Sequence, residues 1–111
     1  MKNDGTYFIV WQGINREKYC PPNIEPLKWQ GIEFFVHRVI DGVDIDSVTA
    51  IKRALWSTQF YQASEKSTGC SLSLENATTI VFAKQQAIEK LGKLGVDKIK
   101  EVIAKAKGNS K

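Results

Sequence analysis

Residues 46–66 read DSVTAIKRALWSTQFYQASEK, and the rest of the chain is arranged around whatever this stretch becomes. Val48, Ile51 and Leu55 fall on one edge of a broad helical arc, and Trp56, Phe60 and Ala63 on the other. Asp46 offers an N-cap carboxylate at the start, and Ser67, Thr68 and Gly69 form a stop at the end. The spacing predicts a helix over about 46–66 that touches both a sheet and a second helix. Lys52 and Gln59 project toward the apolar middle of that arc, where polar groups need partners. With Trp56 and Phe60 as walls, they make a candidate pocket for an anionic or amide-bearing ligand.

Downstream, Ala77, Ile80, Val81, Ala87, Ile88 and Leu91 recur at helical spacing, as do Val96, Ile99, Val102, Ile103 and Ala106. Helices are expected over about 76–92 and 96–107, joined by the short Gly92 to Gly95 link, with residues 108–111 a frayed tail. Upstream, residues 6–14 (TYFIVWQGI) are aromatic, β-branched and uncharged, which suits a strand buried on both faces. Three prolines between Asn15 and Pro26 mark an extended surface loop. Residues 31–40 (GIEFFVHRVI) fit a helical stripe as well as a strand. The strand is preferred because a helix would strand Phe34 on its polar face and because Asp41-Gly42 follows as a turn. The fold expected is therefore α+β in a single domain over 1–111, a small mostly antiparallel sheet with three helices on one face.

Composition agrees with a globular chain: of 111 residues, 42% are hydrophobic and 25% charged. The longest charge-free apolar stretch, from Gly5 up to Arg16, is far shorter than the roughly 20 residues that span a bilayer. The polar start Met1 to Thr6 does not read as a secretory signal, so the expected compartment is the cytoplasm. Cys20 and Cys70, fifty positions apart, lack zinc-site spacing and are expected as free thiols, a disulfide between their loops being the alternative.

Charge is uneven. Residues 1–83 carry eight Lys/Arg against nine Asp/Glu, whereas residues 84–111 carry eight Lys against three Asp/Glu. A basic end hints at a polyanion, with Lys90, Lys93, Lys98 and Lys100 the candidate contacts to nucleic acid. Against that stand the interleaved Glu89, Asp97 and Glu101 and the lack of any aromatic residue after Phe82 to stack on bases. Leu91-Gly92-Lys93-Leu94-Gly95-Val96-Asp97, with Ile99 and Ile103, resembles the helix-hairpin-helix element, which implies a DNA phosphate held on backbone amides. The pattern departs from that family at Asp97 and at Glu101, which sets an acid where phosphate would approach, so the family is not assigned.

Trp-Gln-Gly-Ile occurs at both 11–14 and 29–32. One reading is a pair of aromatic corners presenting Trp11 and Trp29 to one ligand; the other is coincidence, each Gly marking a bend. Asp41, Asp44 and Asp46 match no calcium-loop spacing, and they read as turn and cap residues with no metal assigned. His37 is the only histidine, and neither cysteine sits in a pattern that would make it the nucleophile of a Cys–His pair. No catalytic residue and no cofactor are assigned. The expectation is a small non-enzymatic binding or adaptor protein acting through protein–protein contact. A homodimer is the simplest cover for apolar strands facing both ways. Nucleic-acid binding through the basic end is the first alternative and the aromatic-lined small-molecule pocket the second.

Overall fold

In the computed structural model, residues 3, 5–11, 17–49, 52–72 and 74–108 are described, with Trp11, Glu17, Lys18, Lys52, Arg53 and Gly108 described by backbone alone. The order is β1 (Ile9–Trp11), β2 (Glu17–Tyr19), β3 (Glu25–Trp29), β4 (Ile32–Ile45), β5 (Lys52–Glu65), α1 (Ile80–Leu94) and α2 (Val96–Gly108). β3, β4 and β5 form one antiparallel sheet in that order, and β1 and β2 pair separately as a short antiparallel ribbon.

The strand expected at 31–40 is present and runs on to Ile45. It is entered through Gln30 and Gly31, whose φ angles of 50° and 78° are both positive. That is the two-residue hairpin geometry that matches the twist of the flanking strands. This second Trp-Gln-Gly-Ile is thus a tight turn with Trp29 opposite Ile32, whereas at the first copy the residue opposite Trp11 is Glu17. The strand expected at 6–14 is realised over Ile9–Trp11, and residues 12–16 lie outside those described.

The helix expected over 46–66 is instead β5, so the three-helix fold is corrected to a three-stranded antiparallel sheet followed by two helices. The residues that mimicked a helical stripe separate in space: Trp56 packs with Ile9, Ile24 and Phe35, whereas Ala63 packs with Val36, Ala83 and Ala87 across the sheet. Seven positions return Trp56 and Ala63 to one edge of a helix but set them on opposite faces of a strand, and β5 is also broken between them. Tyr61 opposes Arg38 but Trp56 opposes Ile40, so β5 spends three extra residues between those pairs. Asp46 does cap a backbone amide, accepting from Val48 N at 2.9 Å, but in the β4–β5 turn. Asp41-Gly42, expected as a turn, lies inside β4 at a register irregularity.

The two helices follow the expected pattern with shifted ends. Thr79 caps α1 by accepting from Phe82 N at 3.0 Å, and Gly95, at φ 84°, ends it with its N–H on the Leu91 carbonyl. Ala83 and Ala87 are fully buried and let α1 approach Val36 and Ala63 closely, while Leu91 and Ile99 enclose Phe34. Paired residues on antiparallel strands share a face, so Phe34 and Val36 point to the helices and Phe35 to the other side. There Tyr7, Ile9, Tyr19 and Ile24 cover Phe35. The sheet face for which a second copy was invoked is therefore covered by the chain's own N-terminal ribbon. Among the described residues, no helix is long and apolar enough to cross a membrane.

Candidate functional site

The sheet is anchored at one end and free at the other. β3 reaches along β4 only as far as Val36, which opposes Glu25. Beyond that point β4 and β5 continue as a two-stranded arm closed by the turn at 46–49. Phe34, Phe35, Val36 and His37 are buried, yet none of residues 38–48 is. At the tip the apolar side chains face water, Val48 being 91%, Ile45 58% and Leu55 50% exposed. No described strand pairs with the outer edge of β4 beyond Val36.

A built junction divides body from arm. Ser57, itself buried, turns β5 by accepting from the N–H groups of Gln59 and Phe60, both at 3.1 Å. Its carbonyl accepts from Arg38 Nη1 at 3.4 Å, and the Arg38 guanidinium carbon stands 4.7 Å from the centre of the Tyr61 ring. Bulges of this kind re-aim strands and concentrate beside functional surfaces. Only Asp41 of the arm acids lies near this junction; Asp44 opposes Arg53, and Asp46 is held below the usual carboxylate range by the Val48 amide.

Just inside the body, His37 and Ser64 form a buried polar pair, with Nε2 to Oγ at 2.7 Å and Nδ1 to the Arg38 carbonyl at 2.7 Å. A carbonyl can only accept, so Nδ1 carries the proton, Nε2 is bare, and the Ser64 hydroxyl donates to it. Ser64 is wholly enclosed, which leaves no approach for a substrate, so the pair fastens β4 to β5 at the root of the arm. Burial pushes the imidazole down from 6.5 to about 4. In the unfolded chain it takes up a proton that the native chain refuses, so stability should fall as pH drops from about 6.5 toward 4. The loss is on the order of 3 kcal/mol across that window. Chemical denaturation at stepped pH checks this, and a His37→Gln variant should lose that part of the slope whatever its absolute stability.

Of the pocket candidates, Trp56, Gln59 and Phe60 gather at the Ser57 junction, with Trp56 half-buried, Phe60 half-buried and Gln59 exposed. Lys52 lies at the arm tip opposite Ile45, its side chain outside the described residues. Trp29 packs with Phe34, Leu91 and Ile99 at the far end of the sheet. Eight residues of β4 separate its partner Ile32 from Trp56's partner Ile40, about 26 Å of strand. Trp11 lies on β1, across the sheet from Trp29, and its side chain too is outside the described residues. Val48 and Leu55 escaped sequence reasoning as surface residues because the expected helix would bury them, and Ile45 precedes that helix.

Several lysines of the basic end are engaged by acids. Lys84 is joined to Glu25 at 2.9 Å and holds that carboxyl below its ordinary range, which ties α1 to β3. Lys93 pairs with Glu89 at 3.6 Å, and Lys98 and Lys105 both reach Glu101, at 3.9 and 3.3 Å. Lys98 and Lys100, two positions apart on α2, point about 160° away from each other, and Lys90 is half-buried on α1. Cys20 and Cys70 are exposed free thiols. No known protein family, characterised protein or solved structure is matched by this chain.

Proposed function

We propose that this protein is a small non-enzymatic binding protein that acts through protein–protein contact, and that its β4–β5 arm associates with the arm of a second copy. The observation that carries the reading is the exposed apolar tip on a ribbon whose outer β4 edge pairs with no described strand. A two-stranded ribbon is marginal alone, and an open edge with apolar side chains gains from any strand or face laid against it. Arm charge favours a protein over a polyanion: Asp41, Asp44 and Asp46 offset Arg38, Lys52 and Arg53. Because Asp41 and Asp44 lie on β4 and Lys52 and Arg53 open β5, the arm carries both signs and is complementary to a copy of itself.

Replacing Ile45 and Leu55 together by Lys tests the reading. Both are at least half exposed, so folding stability should change by only about 0.5 kcal/mol. Self-association, followed by light scattering across a concentration series, should weaken by at least about tenfold. A variant that associates as the parent chain does would remove the arm from the interface.

A further inference from the structure

At the opposite end of the sheet from the arm, a cleft of about 530 Å³ lies beside the Gln30-Gly31 turn, between the N-terminal segment and α2. Phe8, Ile32 and Ile103 supply its apolar lining. Around them stand Lys28, Lys66 and Lys107, against the carboxylates of Glu33 and Glu65. The two acids are already engaged. Glu65, 6% exposed, accepts from Ser67 N and Ser67 Oγ at 2.6 Å and from Thr68 N and Thr68 Oγ1 at 3.0 and 2.9 Å. Glu33 meets Lys66 Nζ at 3.3 Å, and that ammonium also stands 5.1 Å from the centre of the Tyr7 ring.

A cationic ligand would find Glu65's oxygens taken and would have to displace Lys66 from Glu33. An anion needs no such displacement, because the three N–H donors of the Lys66 ammonium can serve a second carboxylate beside Glu33. Lys28 is exposed on β3, directly opposite Glu33, and makes no ion pair among the described residues, so the cleft keeps a surplus of positive charge. Its volume is that of a small-molecule site, roughly 300–1,000 Å³, and its lining pairs an apolar wall with a few charged groups. We propose that this cleft binds a small amphipathic anion. Its carboxylate would lie between Lys28 and Lys66, and its short apolar tail against Phe8, Ile32 and Ile103. The site is independent of the arm and of any self-association.

The test is titration of the full chain with octanoate and, separately, with octylammonium, which has the same tail and the opposite charge, followed by NMR of isoleucine methyls. Octanoate should saturate at millimolar concentration and shift Ile32 and Ile103 while leaving Ile45 on the arm unmoved. Octylammonium should not saturate. Lys28→Glu, on an exposed strand position, should keep the fold by circular dichroism and weaken octanoate by at least about tenfold, ~1.4 kcal/mol. Equal binding of the two probes, shifts confined to the arm, no saturation by octanoate, or an unaltered affinity in a folded Lys28→Glu variant would each overturn the proposal.

Discussion

Phe35→Ala should cost about 3–5 kcal/mol, a large part of the roughly 5–15 kcal/mol that holds a domain of this size together. Phe35 is fully enclosed and is the buried sheet residue of the cluster beneath the ribbon, with Ile40 and Trp56 partly buried beside it. Ile9 and Ile24 pack on it, the Tyr7 ring meets it edge-on at 5.2 Å, and the His37 imidazole lies 5.2 Å away. Truncation would leave a cavity that β1 cannot close by shifting, because β1 is paired with β2 and held by its Val10 N–H on the Gly69 carbonyl. The melting temperature should fall by at least about 10 °C, read by circular dichroism.

Gly69→Ala should produce the second large loss. Gly69 has a φ of 72°, and a Cβ there would meet three backbone atoms, Phe8 O at 3.0 Å, Val10 N at 3.1 Å and Ile9 Cα at 3.2 Å. Its carbonyl also accepts from Val10 N at 3.3 Å, so the loop after β5 and strand β1 touch backbone to backbone. The left-handed conformation alone costs an L-residue about 1–2 kcal/mol. The contact adds to that, since backbone cannot swing aside as a side chain would. Gly31→Ala supplies the comparison: its φ is 78° but nothing lies within 4 Å of the added carbon, so only the conformational part should appear. Denaturant unfolding of both variants should place Gly69→Ala clearly below Gly31→Ala, with the Ile9 and Val10 amides exchanging faster. Equal losses would mean that the ribbon does not rest on Gly69.

How much of this was legible in the sequence depends on how regular each element is. α1 and α2 keep one apolar stripe each, with Ala83, Ala87 and Leu91 inward on the first and Ile99 on the second, so periodicity finds them. β4 is legible because adjacent Phe34 and Phe35 are both buried, which only a sheet covered on both faces allows. β5 is illegible for a physical reason. Its alternation is interrupted at Ser57, and Trp56 and Ala63, seven positions apart, share one edge of a helix although they lie on opposite faces of the sheet. Asp46 deepens the error, because a carboxylate taking a nearby backbone N–H starts a turn as readily as a helix. The arm was hidden with β5. Exposed Val48, Ile45 and Leu55 look like core residues until the strand carrying them is seen to have left the body.

The chain mass in solution at micromolar concentration, measured by sedimentation equilibrium on the parent chain and on the Ile45→Lys, Leu55→Lys variant, tests the proposed role of the arm most directly. The parent should sediment as a particle of twice the chain mass, dissociating on dilution by mass action, and the variant with the mass of one chain at the same concentration. A parent chain that is folded and remains a single-mass monomer throughout would contradict that role.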